Sequence, residues 1–390
     1  MNLKKQLLTV ALITIGSSSQ ALPLMPAPNV PAKSFKMIDI STDTVLAEKD
    51  SAKTTEIASL TKVMTAYVTF NELKNGTLNL DDEVLISKKA WRTDGSKMFI
   101  EAGKKVRVEE LLKGMIVVSG NDASVALAEH IAGSEERFVE LMNNYAKAIG
   151  MTDTVFANAT GLSTKAEQHS TARDLAILAT RVFKDFPEYT HYFKEKEYTF
   201  NDITQPNRNK LLNESSSYSG MKTGYTARSG YSLMSSFHED GREIITIVLN
   251  SDSVTDRFMA AKTLTNYGYR RFVNVKPIEE GIPITKIPVL YGKEDSIYVY
   301  AEKDLSCTIP IGINPITEDI HLVGKLEKNG DINPALFAPV EKNYVVGKLT
   351  AYYKGEEIGS VNLITKENVE EANPFKKIKD WLKLKIGQQV

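Results

Sequence analysis

Residues 230–250 read GYSLMSSFHEDGREIITIVLN. The runs 230–237 and 242–250 are strand-like, and Glu239-Asp240-Gly241 between them is a hairpin signal, because such residues tolerate the backbone angles of a tight turn. Working outward, Lys222-Thr223-Gly224 precedes the first run, and the pattern over 257–267 predicts a helix that ends before Gly268. Farther toward the N-terminus lies a block of helical periodicity. Before that block come two more strand-like runs, 34–40 and 44–47, flanking Ser41-Thr42-Asp43. Strands, helices, strands and a last helix imply a sheet assembled from both ends of one domain. The alternation of a doubly wound parallel sheet is absent.

The helical block covers 59–73, 108–117, 123–131, 135–149 and 171–183. In the first segment Leu60, Val63, Met64, Tyr67 and Phe70 recur at helical spacing, which predicts an apolar stripe with Ser59 and Lys62 at its edge. Phe138, Leu141, Met142 and Tyr145 form a similar stripe in the fourth. Over 278–366 the composition shifts to short runs rich in Val, Ile and Tyr, broken by Gly, Pro and Asn, and predicts a separate small all-β domain. The end of the chain, NPFKKIKDWLKLKIGQQV, gathers Phe375, Ile378, Trp381, Leu382 and Ile386 near one helical face with lysines around the rest. A basic amphipathic helix over 372–390 that bears tryptophan fits a membrane surface. The bland alternative is a terminal helix docked on the protein.

At 390 residues, 25% charged, 42% hydrophobic and with a formal net charge of -1, the chain has the composition of a globular protein and no basic excess for a nucleic-acid partner. Lys4 and Lys5 precede an apolar run ending near Ile15, followed by Ser19-Gln20-Ala21; this predicts a secretory signal over 1–21. Residues 22–33 hold four prolines and read as an extended leader. Cys307 is the one cysteine, so no internal disulfide can form. Five histidines, at 130, 169, 191, 238 and 321, lack metal-ligand spacing. No metal or cofactor is expected.

Three short words carry the chemistry: Ser59-Leu60-Thr61-Lys62, Ser119-Gly120-Asn121 and Lys222-Thr223-Gly224. Read singly, the first is a chance string, the second a turn that caps the next helix, and the third a strand entrance. Together and in this order they match the S-x-x-K, S-[DG]-N and K-T-G set of penicillin-recognising serine acyltransferases. A serine and a lysine three apart on a helix are neighbours, and a desolvated lysine near another cation has a lowered pKa, so that its neutral amine can take the serine proton.

With Gly161-Leu162, Ser170-Thr171-Ala172-Arg173-Asp174, Asn207-Arg208-Asn209 and Gly220-Met221-Lys222-Thr223-Gly224-Tyr225-Thr226 added, the chain resembles the serine-type D-alanyl-D-alanine carboxypeptidases, the low-molecular-weight penicillin-binding proteins. The resemblance implies an α+β catalytic domain over 34–277, a five-stranded antiparallel sheet flanked by helices as in β-lactamases, followed by the β-rich domain and the membrane-surface helix. It further implies that Ser59 attacks the carbonyl between two D-alanines of a peptidoglycan stem peptide with Lys62 as base. Ser119 would relay the proton, Asn121 hold the substrate amide, and Lys222 supply positive potential. Backbone N–H groups of Ser59 and Tyr225 would form the oxyanion hole, and Thr223 with Arg257 would receive the terminal carboxylate. β-Lactams would acylate Ser59, and the enzyme would work at the periplasmic face of the bacterial inner membrane.

The chain departs from familiar members at Thr160, Ser124 and Tyr225, where some carry histidine, cysteine and histidine. Two rival readings remain on the sequence alone. A class A β-lactamase shares two of the words but needs a glutamate for its deacylating water, and Glu167 stands in the wrong context. A non-catalytic cell-wall-binding protein would be expected to have lost Ser59 or Lys62.

Overall fold

The computed structural model describes residues 25–312, 320–326 and 335–385. The signal expected over 1–21 and Ile386 of the terminal helix lie outside the described residues. Two compact units are present, one running to Arg271 and the other beginning at Phe272.

In the first unit, β1 (Ser34–Asp39) and β2 (Thr44–Lys49) form a hairpin, and a one-turn 3-10 segment, Ala58–Leu60, leads into α1 (Thr61–Lys74). Next come β3 (Glu83–Leu85), α2 (Lys88–Arg92), β4 (Lys105–Arg107), α3 (Val108–Val117), α4 (Asn121–Ala132), α5 (Glu135–Ala148) and α6 (Ala172–Asp185). A small hairpin, β5 (Glu197–Phe200) and β6 (Ile203–Pro206), precedes β7 (Tyr218–Thr226), β8 (Gly230–Glu239), β9 (Arg242–Ser251) and α7 (Val254–Arg271).

The main sheet has the order β2-β1-β9-β8-β7 with every pair antiparallel. It joins the two ends of the unit, as the order of strand and helix signals implies: Met37 pairs with Thr246, and Thr223 pairs with Leu233. The turn at Glu239–Arg242 closes with Asp240 and Gly241 both at positive φ, 50° and 71°. Such angles suit an acidic residue followed by glycine.

Several expectations need correction. Helix α1 carries no one-sided stripe: every residue from Thr61 to Phe70 is buried, Lys62 included. Its polar side chains are satisfied inside, Thr69 Oγ1 donating to the Thr65 carbonyl and Thr65 Oγ1 to the Ala159 carbonyl. A helix wrapped on all sides shows periodicity in its largest residues only, because small and polar ones bury equally well when bonded. Gly268 does not end α7. The helix continues through it to Arg271, since the missing side chain lets α7 lie against Ile244, Leu46 and Met37, where a Cβ would meet the first at 2.9 Å. Residues 222–224 do not precede a strand but lie inside one, β7, and all three are buried.

The 25–33 stretch forms no helix or strand yet is bound to the domain: Lys33 N donates to the Leu249 carbonyl, Ser251 Oγ to the Pro31 carbonyl and Tyr267 to the Pro26 carbonyl.

The second unit begins earlier than position 278, because β10 (Phe272–Ile278) pairs with β13 (Leu305–Pro310). A six-stranded sheet contains β11 (Pro283–Leu290), β12 (Ser296–Ala301), β14 (Ile320–Leu326), β15 (Leu336–Phe337), β16 (Val345–Tyr353) and β17 (Glu356–Thr365) in the order β14-β16-β17-β12-β11-β15. Cys307 is buried here, its thiol pushed up to about 12 by desolvation, the role of a small hydrophobe. The last helix, α8 (Pro374–Lys385), is docked through Asp380, which is buried and whose Oδ2 accepts from the Tyr291 N–H at 3.0 Å, and through Lys376, whose Nζ donates to the Lys293 carbonyl at 2.8 Å and pairs with Asp295 at 2.9 Å. Phe375, Ile378, Trp381 and Leu382 stay exposed, by 87%, 58%, 47% and 46%. Among the described residues no helix is long and apolar enough to cross a membrane.

Candidate active site

Ser59 sits in the tight turn at the head of α1. The preceding Ala58 has φ 47°, a left-handed value that costs an alanine energy and is held by its surroundings. Those surroundings are two glycines. A Cβ on Gly161 would fall 1.8 Å from the Ala58 carbonyl oxygen, and one on Gly224 would fall 2.8 Å from that of Ile57. The Ser59 turn is therefore clamped between the 158–162 loop and β7.

Lys62 stands one helical turn on, 1% exposed. Its Nζ lies 3.2 Å from Ser59 Oγ, 2.6 Å from Asn121 Oδ1 and 2.7 Å from the Thr160 carbonyl oxygen. The Asn121 amide orientation follows from its other end, where Nδ2 donates to the Asp94 carbonyl at 2.6 Å, so the oxygen must face the lysine. Desolvation, followed by the charges of Lys222 and Arg208, drives the Lys62 pKa well below its ordinary value. A neutral amine has two N–H groups and one lone pair. Two of the three neighbours, the Asn121 and Thr160 oxygens, can only accept, which leaves the lone pair for the Ser59 hydroxyl.

Ser119 occupies the turn between α3 and α4 with φ 64°, buried to 2% exposure. Asn121 opens α4, and its backbone N–H donates to the Ser96 carbonyl. Lys222 is fully buried in β7, its pKa lowered to about 7 by desolvation first and then by Arg208 and Arg257. Arg257 is no surface residue: it is 7% exposed, and its Nη1 donates to the Gly224 carbonyl at 3.2 Å. Its Nε is buried without a partner, and burial lowers the guanidinium to about 10, which keeps it charged at neutral pH. Tyr225 is 54% exposed and stacks on Tyr231 with ring centroids 4.3 Å apart.

The fold thus brings Ser59, Lys62 and Asn121 into direct contact, with Lys222 close enough to act on Lys62 electrostatically and Arg257 beside Gly224. Asn121 is doubly engaged within the protein, so it positions Lys62. Of the three departures, Thr160 contributes its backbone carbonyl to Lys62 while its hydroxyl donates to Asn158 Oδ1. Ser124 is buried and donates to the Gly120 carbonyl.

Two residues were not singled out by the sequence reading. Arg208 is exposed yet close enough to depress Lys62, Lys222 and Arg257 together. Asp122, 1% exposed, accepts from the backbone N–H groups of Met98, Phe99, Ile100 and Ala123 and fixes the 98–100 wall. Its position in the first turn of α4, where a carboxylate is favoured, was the available signal. Among the described residues no group of side chains suits a metal ion. Among the described residues the Lys62 amine bonds Ser59, Asn121 and the Thr160 carbonyl and no carboxylate.

A buried lysine on a serine, at the meeting of a helix head and a sheet-edge strand, defines a serine acyltransferase site. The chain belongs to the D-alanyl-D-alanine carboxypeptidase family. The profile of that family matches residues 22–253, and that of the penicillin-binding protein 5 C-terminal domain matches 272–371. The chain is 38% identical over 370 residues to D-alanyl-D-alanine carboxypeptidase DacC of Escherichia coli, covering 93% of this chain and 90% of that one. It is 36% identical to the crystal structure of penicillin-binding protein 5 from Haemophilus influenzae, with a TM-score of 0.80 over 89% of this chain and 100% of that one. The D-alanyl-D-alanine carboxypeptidase DacD from Francisella tularensis superimposes with a TM-score of 0.70 at 31% identity, over 91% of this chain and 98% of that one.

Proposed function

We propose that Ser59 is the nucleophile and Lys62 the general base of this serine-type D-alanyl-D-alanine carboxypeptidase. The observation that carries the reading is the 3.2 Å approach of Lys62 Nζ to Ser59 Oγ, with the other two Lys62 neighbours restricted to accepting. The substrate is a peptidoglycan stem peptide ending in D-Ala-D-Ala. Ser59 Oγ bonds to the scissile carbonyl carbon as its proton passes to Lys62. The C–N bond then breaks, and the proton reaches the departing D-alanine nitrogen through Ser119. Water hydrolyses the ester and restores the serine.

Charge directs the substrate. Lys222, Arg208 and Arg257 make the far end of the cleft cationic, and Thr223 with Arg257 receives the terminal carboxylate, which a guanidinium fork suits. Backbone N–H groups of Ser59 and Tyr225 stabilise the oxyanion; losing one such donor typically costs about 100- to 1000-fold in rate. A β-lactam enters the same path and remains on Ser59. The exposed apolar side chains of α8 among lysines support attachment of an exported protein to the periplasmic face of the inner membrane.

The test is D-alanine release from a D-Ala-D-Ala-ended peptide, by the chain and by Ser59→Ala, with mass spectrometry of the penicillin adduct. Release and adduct formation are expected from the former and neither from the latter. Equal release by the two would refute the assignment.

A further inference from the structure

A cation as deeply buried as Arg257 ordinarily has an acid beside it. Among the described residues no carboxylate pairs with Arg257. Its neighbours are of another kind: Nη1 donates to the Gly224 carbonyl, and the guanidinium carbon lies 4.9 Å from the centre of the Phe258 ring and 5.6 Å from that of Tyr231. Both distances are within reach of a cation-π attraction.

The two rings come from different elements. Phe258 follows Arg257 on α7, whereas Tyr231 is the second residue of β8 and stands opposite Tyr225 in the β7–β8 pair. The Tyr225 and Tyr231 rings stack with their planes 26° apart, so the ring that faces Arg257 is itself held by a second ring. Tyr225 directly follows Gly224, whose carbonyl Arg257 already bonds. Backbone and aromatic contacts therefore converge on one guanidinium.

A ring face and a carboxylate hold a guanidinium in different ways. A carboxylate takes its N–H groups pairwise and would repel the carboxylate of an incoming peptide. An aromatic face attracts the cation as a whole and leaves the in-plane N–H donors for another acceptor. The buried Nε, which has no partner, fits this division.

We propose that Tyr231, backed by Tyr225, is a positioning residue for Arg257: the stacked pair and Phe258 hold the guanidinium beside β7 by their ring faces, and its N–H edge stays open to the terminal carboxylate of the substrate. The side chain of Tyr225, at a position where some family members carry histidine, thereby gains a task separate from that of its backbone N–H. This rests on the carboxylate role proposed above for Arg257 and adds the residues that hold it.

The test uses the full chain and two acylated peptides, one ending in D-Ala-D-Ala with a free carboxylate and the other in its C-terminal amide. The ratio of their kcat/KM values reads the use of Arg257, and the unmodified protein should favour the free carboxylate. In Tyr231→Leu the ratio is expected to fall about tenfold, the size of a desolvated cation-π contact, through KM and with cleavage of the amide changed by about twofold or less. Tyr225→Ala, which removes only the backing ring, should lower it about threefold. Tyr231→Phe keeps the ring and should restore the ratio. In an Arg257→Gln background Tyr231→Leu should have no further effect, because the two changes remove one contact.

Circular dichroism checks that each variant is folded, and Tyr225→Ala, at an exposed site, gives the reading should Tyr231→Leu not fold. An unchanged ratio in the folded tyrosine variants, or an undiminished Tyr231→Leu effect in the Arg257→Gln background, would overturn the proposal. An unchanged ratio in Arg257→Gln alone would instead overturn the carboxylate role of Arg257, and cleavage of neither peptide would overturn the reaction itself.

Discussion

Asn121 Oδ1 lies 2.6 Å from Lys62 Nζ while the Asn121 amide nitrogen is tied to the Asp94 carbonyl. A neutral acceptor at that position leaves the lysine depressed by burial, whereas a carboxylate there would hold its proton. Asn121→Asp is therefore expected to raise the Lys62 pKa and move the acidic limb of the kcat/KM profile to higher pH. At neutral pH the loss should be roughly 100-fold, within the range of a general base put out of service. D-alanine release measured across pH checks this, and an unmoved limb would argue against Lys62 as the base.

Arg208 lowers both buried lysines. As the proposed base Lys62 must be neutral to accept a proton, so activity is expected to rise as pH climbs through its depressed pKa. In its proposed role Lys222 must be charged to draw in a carboxylate, so kcat/KM of the free enzyme is expected to fall as pH rises through about 7. Removing one nearby positive charge lets both lysines keep their protons to higher pH. Arg208→Gln should shift the two limbs upward together, and because Arg208 is exposed the displacement should shrink in high salt. Profiles at two ionic strengths test it; a shift of one limb alone would contradict the shared electrostatic origin.

Gly161 combines φ 78° with a Cβ position 1.8 Å from the Ala58 carbonyl oxygen. Gly161→Ala must displace the turn that carries Ser59, the proposed nucleophile, and a misplacement of about 1 Å is enough for a loss on the order of 100-fold. Gly150 also has positive φ, 90°, but nothing within 4 Å of its Cβ position. Gly150→Ala should cost only about 1 kcal/mol of stability, with penicillin labelling of Ser59 retained. Comparable labelling by the two variants would show that the close contact does not shape the site.

Helix α8 turns Asp380 inward and four apolar side chains outward. Replacing Phe375 and Trp381 with serine should abolish co-sedimentation with vesicles containing anionic phospholipid, since these two supply much of the exposed apolar surface. Unchanged sedimentation would assign the attachment to another surface.

Much of the catalytic fold was legible because it is locally encoded. The strand runs around Asp240-Gly241 and 41–43 and the helix over 108–117 depend on neighbours in sequence, and each reappears where its pattern indicates. The short pairs β3 with β4 and β5 with β6 left no comparable trace. Three or four residues with one exposed face hold too little alternation to stand out from loop, and their pairing is supplied by the surrounding chain.

The sequence by itself determined the three words, their order, and that the sheet draws strands from both ends of the domain. Only the tertiary structure decided that Lys62 is buried on every side, that Asn121 and the Thr160 carbonyl leave its lone pair toward Ser59, and that Arg208 and Arg257 share one field with Lys222. The reason is physical. Periodicity reports which face of an element is apolar, but desolvation and charge coupling depend on distances between segments far apart in the chain, and those exist only once the core has closed.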